Sequence, residues 1–240
     1  MPYYYGYGFD WTYLVIVLPC IILSMWASSS VNSTFKKYSS VYSYRRITGA
    51  EAAQRVLSAN GVRNVRIERV SGNLTDHYDP RTNVIRLSDS VYGSTSTAAI
   101  GVAAHEAGHA VQYAQNYAPI KLRAAIIPIT NLGSRLAMPL ILLGILFSSF
   151  GNTLVLLGIA AFGLSVVFQL VTLPVELDAS RRAMNAIEAA GLLTPEEQQG
   201  AKKTLKAAAL TYVAATATAI AQLLRLIVIF GGRGRRRNDG

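Results

Sequence analysis

The residues with the clearest chemical potential form one short segment, His105-Glu106-Ala107-Gly108-His109. Its two histidines are four residues apart, with a glutamate directly after the first, which is the H-E-x-x-H arrangement of zinc peptidases. On a helix, four residues turn through about 400°, so both imidazoles project from one face and can reach one Zn²⁺. Glu106 is rotated by about 100° from His105, which suits a base for the bound water and not a ligand. We therefore predict one catalytic zinc ion, with His105 and His109 as ligands and Glu106 as the catalytic residue.

The flanking sequence favours the helix that this geometry needs. The stretch 94–97 is Ser-Thr-Ser-Thr and offers several N-caps, residues 98–114 are rich in helix formers, and Pro119 prevents continuation. The face away from the metal consists of alanine, glycine and valine. This composition predicts tight packing against other helices, with Gly108 permitting a close approach.

Composition indicates a membrane protein with a modest aqueous portion. Of the 240 residues, 51% are hydrophobic and only 15% are charged, which is too apolar for an ordinary soluble domain. The net charge of +10 comes from basic clusters next to apolar segments, so it favours membrane flanks over nucleic acid. The clusters are Lys36-Lys37, Arg45-Arg46, Lys202-Lys203-Lys206 and Arg233–Arg237. The single cysteine, Cys20, excludes an internal disulfide framework and a cysteine-ligated metal.

The run 11–27 has no charged residue and carries Trp11, Tyr13 and Trp26 near its ends, as expected of a membrane span. No lysine or arginine precedes the run, and Lys36-Lys37 follows it. A cleaved signal peptide would show the opposite order. We therefore expect a retained span with its N-terminus outside and the following residues in the cytoplasm.

The run 136–175 also lacks charged residues, and Ser148–Asn152 interrupts it near the middle. Two spans of about 20 residues each would use this length, so a transmembrane helical hairpin is predicted. A hairpin returns to the side that it left. The segment after Pro174 should therefore lie on the same side of the membrane as His105 and His109.

A catalytic zinc ion needs a third protein ligand, and this segment offers Glu176 and Asp178. On a helix the two acids lie about 200° apart, so only one should face the metal. Either residue fits on these grounds, and both could instead cap a helix that starts near Pro174.

Between the first span and the zinc helix, the sequence predicts a small α+β portion. Thr48 and Glu51 have capping-box spacing, Val62–Val70 suits a strand, and Leu74–Tyr78 with Val84–Leu87 suits a hairpin. We expect the Val84–Leu87 strand to pair with extended substrate. His77 is a candidate for stabilising the oxyanion, although a loop histidine is more often structural.

The C-terminal part contains a clear helix start and a further apolar run. Thr194 and Glu197 have capping-box spacing with Pro195 between them, and the apolar run 207–230 follows. The run is long enough to cross a membrane, but basic residues flank both ends, so a full crossing stays open. Tyr212 is a second candidate for an oxyanion donor, with a packing role as the alternative.

Four further observations belong together, namely the segments His105–His109, Leu74–Pro80, Gln169–Glu176 and Ala208–Ala215. Taken together, these segments resemble the YugP family of prokaryotic membrane zinc metallopeptidases, over roughly residues 34–230. The resemblance implies a multi-pass protein of a prokaryotic cell membrane. The family is similar in plan to HtpX-type peptidases, whose third ligand is the first residue of an E-x-x-A-D sequence on a later helix. On this chain that plan makes Glu176 the metal ligand, and Ser180 stands where the plan has a supporting aspartate, so Asp178 remains an alternative.

The expected fold is a mainly α multi-pass membrane protein. It would be a helical bundle with a zincin-like active-site helix and a small cytoplasmic α+β portion that carries a β-hairpin. The expected parts are an anchor (1–30), a zincin-like part (31–135), a transmembrane hairpin (136–175), a third-ligand helix with a cytoplasmic helix (176–206), and a C-terminal apolar helix with a basic tail (207–240).

The leading hypothesis is a zinc metalloendopeptidase that cleaves a membrane-associated protein or peptide at the cytoplasmic side of the bilayer. One alternative is a site-2-type intramembrane protease, in which an L-D-G sequence supplies an aspartate ligand. Leu177-Asp178-Ala179 approximates that sequence and would make Asp178 the ligand. Another is a non-catalytic membrane scaffold with a structural zinc, which would need a fourth ligand such as His77.

Overall fold

The computed structural model of the chain describes residues 11–147 and 150–231. In this part of the chain, a π-helical turn (Tyr13–Val17) leads into the first of six α-helices, and three short strands lie between the second and third. The helices are α1 (Leu18–Ser39), α2 (Gly49–Ala59), α3 (Thr97–Ala114), α4 (Ala118–Leu146), α5 (Gly151–Ala189) and α6 (Pro195–Gly231). The strands are β1 (Arg66–Val70), β2 (His77–Asp79) and β3 (Val84–Ser88). The prediction of a mainly helical protein with a small β portion is confirmed.

Two helices begin with the capping boxes that the sequence predicts. At α2, Thr48 Oγ1 accepts a hydrogen bond from Glu51 N at 3.2 Å, and Glu51 Oε2 accepts one from Thr48 N at 2.7 Å. At α6, Thr194 and Glu197 make the same reciprocal pair at 3.3 and 2.9 Å. Each pair satisfies two backbone donors that the first turn would otherwise leave without partners, so both helix starts are fixed locally.

The sheet has the order β1-β3-β2, in which β1 is parallel and β2 antiparallel to β3. The predicted hairpin is therefore present. The predicted strand Val62–Val70 is shorter and begins at Arg66. The expectation that β3 pairs with substrate is wrong, because β1 and β2 already occupy both of its edges.

Four helices are long and apolar enough to cross a membrane, by length and composition, within residues 11–147 and 150–231. They are the segments Tyr13–Ser39, Ala118–Leu146, Gly151–Ala189 and Pro195–Gly231. The apolar run 207–230, whose crossing the sequence left open, belongs to the last of these helices. Part of the predicted turn at Ser148–Asn152 and the basic cluster Arg233–Arg237 lie outside the described residues.

Two helix boundaries differ from the sequence-based expectation. The helix before the hairpin turn begins at Ala118, well ahead of residue 136, and α5 continues past Pro174 to Ala189. A proline inside a helix removes one backbone hydrogen bond, but long apolar helices tolerate this loss when neighbouring groups compensate. Glu176 is therefore part of the same helix that starts at Gly151, and no new helix begins at Pro174.

The chain contains two compact units. One consists of residues 27–125 and 171–213 and will be called the site unit. Its core packs α2, β3 and α3 with the second half of α5, and its largest fully buried side chains include Leu57, Ile85, Leu87, Ile100 and Ile187. Small residues allow α3 to pack closely against its neighbours. For example, a Cβ on Gly101 would lie only 3.2 Å from Ala201 of α6.

The other unit consists of residues 1–26, 126–170 and 214–240 and will be called the apolar unit. Within its described residues, helix segments approach through glycines. A Cβ on Gly144 would lie 2.6 Å from the carbonyl oxygen of Gly151, and one on Gly158 would lie 2.8 Å from that of Ala137. Such small-residue contacts are typical of helices that pack inside a bilayer.

Candidate metal centre

Helix α3, which carries His105 and His109, forms as the sequence predicts. Ser96 is its N-cap and accepts a hydrogen bond from Ala99 N at 3.2 Å, and the helix ends at Ala114. Gly108 provides the close approach to α5, because a Cβ there would lie only 2.8 Å from the carbonyl oxygen of Ala179. The absence of a side chain at Gly108 thus allows the two helices that carry the candidate ligands to touch.

This approach brings the three expected ligands together. Glu176 Oε2 is 3.3 Å from His105 Nε2 and 3.4 Å from His109 Nε2. One ligand atom from each residue falls within 4.8 Å of the others, as a shared metal ion requires. The glutamate side chain is only 3% exposed. Of the two acids that the sequence offered, the structure places Glu176 beside the imidazoles.

The other nitrogen of His109 contacts Gln112, one turn further along α3. Gln112 Nε2 donates to Val175 O and to Asp178 Oδ2, both at 2.9 Å, which leaves Gln112 Oε1 as the acceptor for His109 Nδ1 at 3.0 Å. His109 therefore carries its proton on Nδ1 when neutral, and its Nε2 lone pair faces Glu176. An outer hydrogen bond of this kind fixes the ring orientation of a metal-binding histidine.

His105 has a different support. Its Nδ1 lies 3.1 Å from the hydroxyl oxygen of Ser180, at the position where the HtpX-type plan has an aspartate. Asp178 does not face the imidazoles and instead binds Gln112, Arg181 and Arg182. Asp178 thus supports His109 through Gln112, while a serine supports His105.

The donor set fits a zinc ion on physical grounds. Glu176 Oε2 is buried without a hydrogen-bond partner, and it lies 3.3 Å from His105 Nε2 and 3.4 Å from His109 Nε2. The Nε2 lone pair of a neutral His109 would face this carboxylate oxygen, so a cation between them would stabilise the arrangement. Burial of the His109 ring opposes protonation, yet the Glu176 and Glu106 carboxylates and Gln112 raise its pKa, which reflects the same local demand for positive charge. Two histidines and one carboxylate are the ligand set of many catalytic zinc sites.

Glu106 lies beside this group without joining it. Together with His105 it lines a cavity of about 380 Å³, whose walls also include Asp76 and Tyr212. Asp76 accepts hydrogen bonds from Ser88 N at 2.7 Å and Ser88 Oγ at 2.9 Å. Burial raises the pKa of Asp76 despite these bonds, and the Glu106 charge raises it further. The cavity wall thus contains a general base candidate with a second carboxyl group nearby.

The two candidate oxyanion donors end up in different places. Tyr212 lines the cavity beside Glu106 and interacts with the Glu176 carboxylate. His77 lies on the exposed side of β2, where its Nδ1 contacts Thr75 O at 2.9 Å, and it is not among the residues that line the cavity. The structure therefore brings Tyr212 to the candidate site and leaves His77 outside it.

Arg123 is a site residue that sequence reasoning missed. Its Nη1 donates to Glu176 Oε1 at 2.7 Å, from the second turn of α4. The one signal in the sequence is a positive charge early in a long apolar helix, and this does not identify a partner 53 positions away.

Comparison with known proteins shows the family of the chain. Residues 13–231 match the family described as "Putative neutral zinc metallopeptidase", and the chain belongs to that family. It is 45% identical over 218 residues to the protein named "Putative membrane protease YugP" of Bacillus subtilis (strain 168), which covers 91% of this chain and 96% of that protein. The resemblance to the YugP family is thus confirmed. A comparison with solved structures finds no match.

Proposed function

We propose that the chain is a membrane-embedded zinc metalloendopeptidase that holds one zinc ion through His105, His109 and Glu176. The observation that carries the proposal is the buried carboxylate oxygen that faces two imidazoles, next to a glutamate that lines a cavity. Family membership and the name of the Bacillus subtilis relative support the same class of activity.

Each protein group has a defined task in this proposal. When bound, zinc supplies Lewis acidity, which polarises a carbonyl group and lowers the pKa of water. Glu106 takes the proton of the attacking water and passes it to the leaving amine. Tyr212 donates a hydrogen bond to the negative charge that develops on the scissile carbonyl oxygen. Gln112 and Ser180 hold the two imidazoles in orientation.

The cavity beside Glu106 is the proposed place of the substrate. Its volume lies within the range of small-molecule sites, and its walls include the apolar side chains of Val31, Leu74, Val102 and Leu205. It therefore suits an apolar side chain next to the scissile bond. Leu74 and Asp76 precede β2, an edge strand of the sheet, so we propose β2 instead of β3 as the strand that pairs with substrate.

A membrane-associated protein or peptide is the proposed substrate, because α1 and α6 supply cavity walls and are both candidate spans. The distribution of basic residues favours a cytoplasmic site in a multi-pass protein of a prokaryotic cell membrane. A site-2-type protease would need Asp178 at the metal, but Asp178 is engaged with Gln112 and two arginines. A structural zinc would need a fourth ligand, and His77 contacts Thr75 instead. We therefore propose neither alternative.

The test compares the Glu106→Gln variant with the unchanged chain, both purified in detergent and presented with a library of peptides. We expect the variant to keep one zinc per chain and to lose hydrolysis by about 10²–10⁴-fold, because the proton acceptor is gone. Glu188→Gln is the matched control, since Glu188 is an exposed acid on α5. Unchanged hydrolysis in Glu106→Gln, or an unchanged chain that binds no zinc, would overturn the proposal.

A further inference from the structure

The two carboxylate oxygens of Glu176 have different surroundings. Oε2 faces the imidazoles and has no hydrogen-bond partner, whereas Oε1 accepts a hydrogen bond from Arg123 Nη1 at 2.7 Å. The glutamate side chain is 3% exposed and the arginine side chain 29% exposed. The arginine therefore engages one oxygen of a buried carboxylate and leaves the other for the centre of the site.

Glu176 and Asp178 have separate arginine partners. Arg181 and Arg182 bind Asp178, and Arg123 binds Glu176. A buried carboxylate is stable only with compensating charge and hydrogen bonds, and a guanidinium N–H to carboxylate bond is among the stronger ones available. The contact between Arg123 and Oε1 is therefore favourable with or without a bound metal.

We propose that Arg123 is a positioning residue that reserves Oε1 of Glu176, so that this glutamate ligates zinc through Oε2 alone. The proposal rests on the proposed function, because it concerns the same zinc site. A carboxylate that binds through both oxygens would occupy two positions around the ion. A catalytic zinc ion has three protein ligands and keeps a position for water or substrate, and single-oxygen ligation by Glu176 preserves that position.

The chemistry of arginine suits this task better than that of lysine. A guanidinium is planar, permanently charged and directs its N–H groups in fixed directions, whereas an ammonium is a point charge with rotatable donors. Arg123→Lys would keep the charge and loosen the direction of the hydrogen bond. We therefore expect its effects to lie between those of the unchanged chain and of Arg123→Met, which removes both charge and donor.

The test uses the full chain in detergent, loaded with zinc, and zinc-edge X-ray absorption to count oxygen and nitrogen neighbours. Lys121→Met is the matched control, because Lys121 is an exposed cation of the same helix that donates to Asn116. We expect Arg123→Met to bind one zinc per chain with more oxygen neighbours than the unchanged chain. Hydrolysis should fall by about 10–100-fold, as for other outer partners of metal ligands. The Lys121→Met spectrum should match that of the unchanged chain.

Two outcomes would overturn the inference. The first is an unchanged zinc spectrum in Arg123→Met, and the second is a folded Arg123→Met chain that holds no zinc, since Arg123 would then preserve the ligand set itself. If Arg123→Met does not fold, the spectrum of Arg123→Lys decides in the same way. The spectrum does not depend on hydrolysis. A chain that binds zinc without cleaving peptides would therefore refute the proposed function and leave the Arg123 comparison readable.

Discussion

The site unit buries its large apolar side chains, whereas the apolar unit exposes side chains of the same kind. In the site unit, Leu57, Ile85 and Leu87 are completely buried. In the apolar unit, Leu142 and Leu157 are 54% and 52% exposed. Exposed apolar patches of this kind are unfavourable in water and favourable in lipid. The site unit therefore has an apolar core of its own, whereas the exposed apolar surface of the other unit suits a lipid environment.

The two units also differ in what their polar groups do. In the apolar unit, a hydrogen bond joins the hydroxyl groups of Ser24 and Thr218 at 3.1 Å, a neutral contact between helices. In the site unit, buried charged groups form a connected set around Glu176 and Asp178. We infer that substitutions in the apolar unit change stability alone, whereas those around the charged set also change metal binding.

The strongest effect is expected at the candidate ligand, and it separates Glu176 from Asp178. Glu176→Ala should lose stoichiometric zinc and all hydrolysis above background, because two imidazoles alone are an incomplete ligand set for zinc. Asp178→Ala should keep the zinc and lower its affinity by about 10–100-fold, because Asp178 acts through Gln112. Metal analysis and competition with a chelator measure both. Zinc loss in Asp178→Ala with zinc retained in Glu176→Ala would reverse the ligand assignment.

A smaller effect is expected when a glycine at a close helix contact is replaced, and each unit offers one such glycine. A Cβ on Gly108 would meet Ala179 O at 2.8 Å, and a Cβ on Gly144 would meet Gly151 O at 2.6 Å. Gly108→Ala and Gly144→Ala should each cost about 1–3 kcal/mol of stability, because both overpack a helix contact. Only Gly108→Ala should also weaken zinc binding, since it pushes α3 away from Glu176 and Ser180. Thermal unfolding in detergent and zinc titration test this, and equal zinc affinities would contradict the comparison.

The smallest effect is expected for the side chains that hydrogen-bond the two imidazoles, Gln112 at His109 and Ser180 at His105. Gln112→Ala and Ser180→Ala should each lower zinc affinity within the range of about 10–100-fold. Gln112→Ala should be the more harmful, because Gln112 is fully buried and also holds Val175 and Asp178, whereas Ser180 makes one contact to His105. Zinc titration of both variants gives the order. A larger loss in Ser180→Ala would show that the hydroxyl group is the principal support.

The predictable features depend on short-range patterns. The spacing of His105 and His109, the N-cap at Ser96 and the box at Thr48 each need at most five residues, and the structure contains all three. The choice of Glu176 over Asp178 needed the family resemblance, since local geometry allowed either. Gln112 could have been found as well, because it lies three residues after His109 and therefore on the same helix face.

The features that sequence reasoning missed depend on contacts between distant segments. Arg123 on α4 contacts Glu176 on α5, and no local sequence pattern predicts this pair. The central position of β3 follows from its parallel pairing with β1, which a hairpin signal does not contain. The continuation of α5 through Pro174 requires that tertiary packing outweigh one lost backbone hydrogen bond.

The small residues of α3 limit how the candidate site can vary among related proteins. Ala103, Ala104 and Ala107 are fully buried, so larger side chains at these positions would force neighbouring helices apart. The buried positions of the helix that carries the imidazoles therefore do not accept larger side chains without a loss of stability. On the proposed function, new cleavage preferences are expected to arise from other cavity walls, where Val31 and Leu74 are less buried than these alanines.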